Sequence, residues 1–221
     1  MSKYKIILFD LDGTLSDPKE GITKSVQYAL DKMGIEEPDL DKLECFIGPP
    51  LQDSFTEYYH FNEEKTQKAI QLYRERFKEK GMFENTLYPD TSGVLQFLKE
   101  QGFVLAVATS KPTVFAEQIL EYFQISEYFD IIAGSNLDGT RSAKAEIIQY
   151  IIDNYSEYGL EEFIMIGDRK HDLIGANKTG IDSIGITYGY GSLEELNDEK
   201  PAFIVDSLKQ VSMILTEKPV P

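Results

Sequence analysis

The stretch "IILFDLDGTLSDP", residues 6–18, decides the fold class, because an apolar run there ends abruptly in aspartates and a glycine. Four more runs rich in Ile, Val and Phe also stop at Asp, Ser or Gly: "FVLAVATS" (103–110), "YFDIIAGS" (128–135), "EFIMIGD" (162–168) and "SIGITYG" (183–189). From residue 91 onward, amphipathic stretches of helical length separate these runs. Near-continuous apolar strands that alternate with helices indicate a parallel sheet covered on both faces. The sequence therefore predicts an α/β, doubly wound, Rossmann-like core of five to six strands, with "AFIVDS" (202–207) as an edge strand.

Residues 16–82 break this alternation. They contain no strand-like run, and their apolar residues recur at helical spacing, as in "KEGITKSVQYALDKMG" (19–34) and "NEEKTQKAIQLYRERFKEKG" (62–81). Asn62 is a favourable N-cap residue, and the glycines that close both stretches are favourable helix stops. We therefore expect an all-helical domain at 16–82, inserted into a core formed by 1–15 and 83–221. The last residues, "LTEKPVP" (215–221), are expected to fray.

The composition restricts the partners. Lys and Arg total 22 against 38 Asp and Glu, and the resulting net charge of −16 argues against binding to nucleic acid polymers or anionic membranes. A small anionic substrate is compatible with this charge if positive groups gather locally. No apolar run approaches the roughly 18 residues of a membrane-spanning helix, and the start lacks the apolar stretch of a secretory signal. We expect a cytoplasmic protein, and the sequence does not specify its oligomeric state.

Asp10 and Asp12 lie two residues apart at the end of the first strand, where the strand period directs both side chains to one side. Two carboxylates at so short a distance repel each other unless a cation lies between them or one of them is protonated. The pair therefore indicates either a divalent metal site or a nucleophile with a general acid. Gly13 permits a sharp turn, and Thr14 adds a hydroxyl. The alternative, an Asp-Gly turn without chemistry, fits the whole motif after a buried strand less well.

A second carboxylate pair, Asp168 and Asp172, follows the fourth apolar run. If a helix begins there, the spacing of four places both on one helical face, which suits a hard, oxygen-liganded cation such as Mg²⁺. The alternative is that Asp168 caps the helix. Because the strand ends of a doubly wound sheet share one edge, we expect both carboxylate pairs at that edge, and this favours the metal.

The same edge gathers groups that could hold an anion. Thr109 and Ser110 end the second run and precede Pro112, which fits the first turn of a helix, so hydroxyls and free backbone N–H groups would meet there. Plain helix capping by Ser110 is the alternative. Lys144 opens an amphipathic helix, where a lone lysine is usually a solvated surface residue, and only its place at this edge favours a role in the site.

The letters "LDGT" occur a second time, at 137–140. Asn136 stands where the first copy has Asp10, and an amide can neither attack as a carboxylate nor supply negative charge to a metal. We interpret this copy as a turn that brings Lys144 to the edge of the sheet, with Arg141 near the substrate entrance.

In this order, the motifs resemble those of the haloacid dehalogenase-like phosphatase superfamily over nearly the whole chain. "DLDGT" (10–14) is similar to its first motif, "VLAVATS" (104–110) to its second, Lys144 to its helix-opening lysine, and "GDRKHD" (167–172) to its Gly-Asp-x-x-x-Asp motif. The inserted helical domain resembles the smaller helical cap of that family. "FIGPPL", "SNLDGTR" and "ITYGYGS" resemble the phosphoglycolate phosphatase-like group, in particular its bacterial 5′-nucleotidase-like members.

The resemblance implies a phosphomonoester hydrolase that works through an aspartyl phosphate. Asp10 would attack phosphorus, and Asp12 would protonate the leaving alkoxide and then deprotonate water. Thr109 and Lys144 would hold the transferring phosphoryl group, with Ser110 as a helper.

The resemblance also implies Mg²⁺ as the cofactor. Asp10, the backbone carbonyl of Asp12, and Asp168 would hold the ion, and Asp172 would contribute directly or through water.

The substrate implied is a small phosphorylated metabolite, such as a nucleoside 5′-monophosphate or phosphoglycolate, selected by the helical domain. Gly48, in the proline-stiffened loop "IGPPL" (47–51), and Lys24 are our candidates for contacting it, although the loop could equally be a rigid helix connector. A phosphomutase, a dehalogenase and a phosphate-binding module without turnover are the alternatives. Asp12 and the second carboxylate pair disfavour the dehalogenase, and the intact motifs disfavour the module.

Overall fold

The computed structural model describes residues 2–216. Within this range the strands are β1 (Ile6–Phe9), β2 (Ser16–Asp17), β3 (Thr86–Leu87), β4 (Val104–Pro112), β5 (Ile131–Ser135), β6 (Phe163–Gly167), β7 (Asp182–Ile186) and β8 (Phe203–Val205). The α-helices are α1 (Lys19–Lys32), α2 (Leu51–Tyr59), α3 (Glu63–Glu79), α4 (Thr91–Glu100), α5 (Thr113–Tyr122), α6 (Lys144–Asn154), α7 (Lys170–Thr179), α8 (Leu193–Asp198) and α9 (Leu208–Thr216).

The chain forms two compact units. The first contains the chain up to Ser16 and from Leu87 onward, and the second contains Asp17–Thr86. The short strands β2 and β3, which pair with each other, mark the two places where the chain passes from one unit to the other.

Over the described residues, the first unit contains a six-stranded parallel sheet in the order β5-β4-β1-β6-β7-β8. This confirms the predicted α/β, doubly wound class, and β8 is the expected edge strand. In the central strand β1, Ile6 and Leu8 pack with α6 and α7 on one face, while Ile7 and Phe9, which point the other way, are buried as well. Burial on both faces explains why the run is apolar without interruption.

The order of strands reverses at β1. The chain proceeds from β1 to β4 and β5 on one side, and then continues through β6, β7 and β8 on the other side. Doubly wound sheets bind ligands outside the carboxyl ends of their strands at such a reversal. Asp10 follows β1 and Asp168 follows β6, so the topology places both residues there.

The second predicted strand is longer than expected. β4 continues to Pro112, and its register with β5 shifts near that end. Ala108 pairs with Ala133 and Pro112 pairs with Ser135, so β4 has two more residues than β5 over this span. Because α5 begins at Thr113 with Pro112 as its N-cap, the expectation that Pro112 lies in the first helical turn is wrong.

The second unit is helical and has a core of its own. α1 packs against α3, and α2 and the 3-10 segment Leu40–Phe46 complete the unit. Phe46, Phe55 and Phe77 are buried inside it. The Asn62 side chain accepts a hydrogen bond from the Lys65 N–H at 3.0 Å and so caps α3.

This unit extends to Thr86, whereas the sequence suggested an end at residue 82. The 3-10 turn Gly81–Phe83 packs closely on α1, since a Cβ at Gly21 would overlap the Gly81 carbonyl. The Gly21 N–H also donates to the Glu84 carbonyl at 3.0 Å. These contacts hold the chain in the helical unit beyond residue 82.

None of the helices within residues 2–216 combines the length and apolarity needed to cross a bilayer. The expected fraying of 215–221 does not apply to Leu215 and Thr216, which belong to α9. Residues 217–221 lie outside the described part of the chain.

Candidate active site

Four aspartates gather at the carboxyl ends of β1 and β6 in the first unit. Asp10 and Asp12 follow β1, Asp168 follows β6, and Asp172 lies in the first turn of α7. Asp10, Asp168 and Asp172 each offer a carboxylate oxygen within 4.8 Å of the other two. Among the described residues, every buried charged side chain belongs to this group or contacts it: Asp10, Asp12, Lys111, Lys144, Asp168 and Asp172. Burying charge is costly, so its concentration at one place indicates chemistry rather than packing.

Lys144 lies between two of these carboxylates. It is the first residue of α6, and its buried Nζ lies 2.9 Å from Asp10 Oδ1 and 2.7 Å from Asp172 Oδ1. The ammonium also donates to the Ala108 carbonyl at 2.9 Å. Although burial lowers the pKa of Lys144, the two carboxylates raise that pKa above its ordinary value. Lys144 is therefore a buried cation, not a solvated surface lysine.

Asp10 is held from two directions. Its Oδ1, which contacts Lys144, also accepts a hydrogen bond from the Leu11 N–H at 2.8 Å. The Asp10 N–H donates to the Ile166 carbonyl at 2.9 Å and ties the end of β1 to β6. These bonds fix both the backbone and the carboxylate of Asp10.

Asp12 contacts a cation that the sequence analysis did not single out. Lys111, near the shifted end of β4, is buried, and its Nζ lies 2.8 Å from Asp12 Oδ2. Asp12 Oδ1 is buried and has no hydrogen-bond partner among the described residues. Burial raises the pKa of the Asp12 carboxyl above its ordinary value, while Lys111 acts in the opposite direction. The available signal was a lysine directly after the strand end "ATS", which a longer strand would bury.

Two glycines make room for Asp168. A Cβ at Gly13, where φ is +82°, or at Gly189 would overlap the Asp168 carboxylate. The Thr14 hydroxyl donates to Asp168 Oδ1 at 3.2 Å, and the Tyr190 N–H donates to Oδ2 at 2.8 Å. The Thr14 hydroxyl and the Tyr190 N–H thus hold the carboxylate, and glycine at positions 13 and 189 leaves the space that it occupies.

The helix after β6 begins later than the sequence suggested. α7 starts at Lys170 with Arg169 as its N-cap, so the alternative that Asp168 caps the helix is wrong. Asp168 and Asp172 therefore do not share a helical face, and their proximity comes from the bend between β6 and α7. Asp172 Oδ2 accepts a hydrogen bond from the Arg169 N–H at 3.1 Å, while Oδ1 contacts Lys144.

The residues present fit a divalent cation. Burial raises the pKa of Asp168 well above its ordinary value, and the Asp172 and Asp10 carboxylates raise it further. Burial likewise raises the pKa of Asp172, although Lys144 opposes this shift. Four carboxylates thus face two ammonium groups, and the excess negative charge is what a divalent ion would neutralise. An all-oxygen set of buried carboxylates suits a hard ion such as Mg²⁺.

Thr109 and Ser110 lie in the shifted part of β4 and not at a helix N-terminus. Thr109 is buried, and its hydroxyl oxygen accepts a hydrogen bond from the Lys111 N–H at 3.3 Å. The Ser110 carbonyl accepts one from the Ser135 hydroxyl at 2.9 Å. Because α5 is preceded by Pro112, the alternative that Ser110 caps a helix is wrong.

The other two predicted contact residues lie in the second unit. Gly48 follows the 3-10 segment Leu40–Phe46 and has a φ of +102°. Lys24 lies in α1, where its Nζ is 2.5 Å from Glu20 and 4.0 Å from Glu84. A role of either residue in substrate binding stays a prediction.

The second "LDGT" copy lies in a turn after β5. The Asn136 N–H donates to the Thr140 carbonyl at 2.9 Å. Arg141 donates from Nε to the Gly134 carbonyl at 2.9 Å, and its guanidinium lies 4.3 Å from the centre of the Tyr150 ring. These contacts fasten the turn to β5 and to α6, and a place for Arg141 at a substrate entrance stays a prediction.

Comparison with known proteins agrees with this geometry. Residues 7–186 match the model of the haloacid dehalogenase-like hydrolase family. The chain is 46% identical over 213 residues to a 5′-nucleotidase from Pseudomonas aeruginosa, and the match covers 96% of both chains. It is 29% identical over 215 residues to a phosphoglycolate phosphatase from Vibrio parahaemolyticus, with 94% of both chains covered.

Two further similarities bear on the activity. A tyrosine-protein kinase, PtkA, from Mycobacterium tuberculosis is 35% identical over 187 residues, which are 85% of this chain and 63% of the relative. The crystal structure of a predicted phosphatase from Clostridium acetobutylicum is 51% identical, with a TM-score of 0.94 over 97% of this chain and 99% of that one.

Proposed function

The chain belongs to the haloacid dehalogenase-like hydrolase family and is a phosphatase, and from this premise we propose that it hydrolyses small phosphate monoesters through an aspartyl phosphate on Asp10 with the aid of Mg²⁺. The observation that carries the proposal is the convergence of all buried charged side chains of the described chain around Asp10. A nucleoside 5′-monophosphate is the proposed substrate, because the relative that is 46% identical over nearly the whole of both chains is named 5′-nucleotidase. Phosphoglycolate is the second candidate.

The reaction has two steps. An Asp10 carboxylate oxygen attacks phosphorus while the bond from phosphorus to the ester oxygen breaks, and Asp12 transfers its proton to that departing oxygen. Asp12 then takes a proton from water, whose oxygen attacks phosphorus and releases phosphate from Asp10. Burial raises the pKa of Asp12, and this supports its presence in the protonated form for the first step.

Three residues are proposed to hold the phosphoryl group. The ammonium of Lys144, which lies 2.9 Å from Asp10 Oδ1, is close enough to contact an oxygen on phosphorus as Asp10 attacks. Thr109 would donate its hydroxyl from the shifted part of β4, with Ser110 as a helper. Phosphoryl transfer depends mainly on such positioning and charge stabilisation.

Asp10, Asp168 and the backbone carbonyl of Asp12 would hold Mg²⁺. When bound, the ion offsets the repulsion between the carboxylate nucleophile and the phosphate. Asp172 already contacts Lys144 and the Arg169 N–H, and this supports a contribution through water.

The helical unit, Asp17–Thr86, is proposed to select the leaving group, with Gly48 and Lys24 as contacts. A cytoplasmic location is part of the same proposal, since the expected substrates are soluble metabolites; cell fractionation would test it. A leaving-group preference that survives replacement of both Gly48 and Lys24 would remove these two residues from the proposal.

The proposal is tested by measuring free phosphate released from nucleoside 5′-monophosphates, phosphoglycolate and 4-nitrophenyl phosphate, with Mg²⁺ and with a chelator. Asp10→Asn should lower kcat by about 10³-fold or more, and Asp12→Asn by about 10²- to 10⁴-fold on the poorer leaving groups. Asp138→Asn, at the position of the second "LDGT" that corresponds to Asp12, is the matched control and should keep full activity.

Full activity of Asp10→Asn would contradict the mechanism. An isomerised sugar phosphate in place of free phosphate would instead show a phosphomutase. A phosphorylated tyrosine on a peptide supplied with a nucleotide would show a kinase like the mycobacterial relative. Binding of phosphate esters without any turnover would leave a binding module.

A further inference from the structure

We propose that Lys111 is a positioning residue for the reaction, and that it fixes the Asp12 carboxyl group for proton transfer to the leaving group. This inference rests on the proposed function, because it takes Asp12 as the general acid. Lys111 lies outside the four sequence motifs, and its contact with Asp12 connects it to the site.

The contact is a buried pair. The side chains of Lys111 and Asp12 are 5% and 9% exposed, and Nζ lies 2.8 Å from Oδ2. Buried ion pairs add little to the stability of a protein, because the loss of hydration offsets the attraction between the charges. Apolar residues of similar size stabilise a core at least as well. A lysine at this position is therefore better explained by what it does to Asp12 than by the stability of the unit.

Contacts on both sides of Lys111 hold its backbone in place and so set the direction of its side chain. The register shift of β4 occupies the span between Ala108 and Pro112, which contains Lys111. The Lys111 N–H donates to the Thr109 hydroxyl at 3.3 Å. On the β5 side, a Cβ at Gly134 would overlap the Lys111 carbonyl, so only glycine permits this approach. The backbone of Lys111 is thus enclosed between its own strand and β5.

The turn with the second "LDGT" copy supports the same arrangement. The Gly134 N–H donates to the Thr113 hydroxyl at 3.0 Å, and the Arg141 Nε donates to the Gly134 carbonyl at 2.9 Å. Arg141 also approaches the Thr113 hydroxyl at 3.4 Å. Gly134 is therefore fastened from both its N–H and its carbonyl while it packs against Lys111.

The two oxygens of Asp12 have different surroundings. Oδ2 contacts Lys111, whereas Oδ1 is buried and has no hydrogen-bond partner within residues 2–216. Holding one oxygen fixes the side-chain rotamer and leaves the other oxygen for the ester oxygen of the substrate. A general acid acts only from hydrogen-bonding distance, so its orientation determines its efficiency.

The test compares leaving groups. The 4-nitrophenolate ion departs without protonation, whereas the alkoxide of a nucleoside 5′-monophosphate needs the acid. We compare kcat/KM, which reports all events up to formation of the phosphoenzyme. Lys111→Met should lower kcat/KM for the nucleotide by about tenfold to 10³-fold, and for 4-nitrophenyl phosphate by less than about threefold. Lys111→Arg, which keeps the charge, should recover part of the nucleotide activity.

The matched control is Lys99→Met. It breaks another Lys–Asp pair of the same unit, with Lys99 Nζ 2.7 Å from Asp130 Oδ2, outside the cluster of buried charges. The ratio of activities on the two substrates should not change. In an Asp12→Asn background, Lys111→Met should cause no further change in that ratio, because Lys111 acts through Asp12.

An equal loss on both substrates would overturn the inference, since it would mean that Lys111 binds the phosphate or only supports the fold. An unchanged ratio would overturn it as well. If circular dichroism shows that Lys111→Met is unfolded, Lys111→Gln carries the same comparison with the same two outcomes. Wild-type protein that hydrolyses neither substrate would instead refute the proposed function itself.

Discussion

Gly13 and Gly139 occupy the same place in the two "LDGT" copies, and both have left-handed backbone, with φ of +82° and +90°. Their surroundings differ. A Cβ at Gly13 would overlap the Asp168 carboxylate, whereas a Cβ at Gly139 would meet no atom of the described residues within 4 Å apart from its own chain neighbours. Replacing each glycine by alanine therefore separates the cost of the backbone conformation from the cost of disturbing the site.

The control variant, Gly139→Ala, should lose about 1 kcal/mol of unfolding free energy. Left-handed backbone costs an L-residue about 1–2 kcal/mol, and the smaller entropy of the unfolded chain returns about 0.4–1 kcal/mol. Its kcat should stay at the wild-type value, because the turn contains none of the proposed catalytic residues.

Gly13→Ala should lower both the unfolding free energy and kcat by more than Gly139→Ala does. The Asp168 carboxylate must move away from its hydrogen bonds with Thr14 and Tyr190, and a bond to a charged group is worth about 1.5–3 kcal/mol. With both bonds lost and a backbone cost of about 1 kcal/mol, the total loss of unfolding free energy should be about 4–7 kcal/mol. A shift of about 1 Å in a positioned group can lower the rate about 10²-fold, so we expect a fall of that order in kcat.

Urea unfolding followed by circular dichroism gives the two free energies, and phosphate release at saturating Mg²⁺ gives kcat. The reasoning is refuted if Gly13→Ala keeps wild-type activity and its stability lies within about 0.5 kcal/mol of that of Gly139→Ala. Such a result would mean that Asp168 tolerates a side chain at Gly13.

Two further predictions concern the same cluster. The raised pKa of Asp168 means that the folded state keeps a proton that the unfolded state releases near pH 4, so metal-free protein should lose stability as the pH rises from about 4 through that raised pKa. Asp168→Asn should flatten this dependence, stabilise the metal-free protein at pH 7 and abolish the rise of Tm with Mg²⁺. Thermal unfolding in chelator and in Mg²⁺ measures both effects, and an unchanged pH dependence would contradict the prediction. Tyr188→Phe removes a hydroxyl that donates to the Thr14 carbonyl at 2.6 Å. Urea unfolding should show a loss of about 1–2 kcal/mol of unfolding free energy, and kcat should fall less than tenfold. Unchanged stability would show that this bond contributes nothing.

The fold class could be predicted from the sequence because it depends on patterns among residues that are close together in the chain. Strands buried on both faces must be apolar at every position, as in β1, and helices must be apolar at helical spacing. Runs that end in Asp or Ser place those residues at one edge of a parallel sheet by topology alone. For this reason the sequence pattern alone predicts that Asp10 and Asp168 lie at the carboxyl ends of β1 and β6.

The first residues of the helices were harder to predict from the sequence. Asp168 and Ser110 are both good capping residues, yet Arg169 and Pro112 occupy the N-cap positions. Capping preference amounts to only about 1 kcal/mol, and the contacts that enclose Asp168 outweigh it. A local preference of this size cannot decide the boundary against tertiary packing.

The sequence by itself determined the parallel sheet, the helical insertion and the strand ends from which the acidic residues project, because each depends on residues that are near one another in the chain. Only the tertiary structure decided that Lys144 contacts both Asp10 and Asp172, and that Lys111 is paired with Asp12. The contact of Lys111 requires a two-residue shift in the pairing of β4 with β5 and a glycine on the neighbouring strand. Such pairing joins segments that are distant in sequence, and the periodicity of a single strand carries no information about the register of its partner.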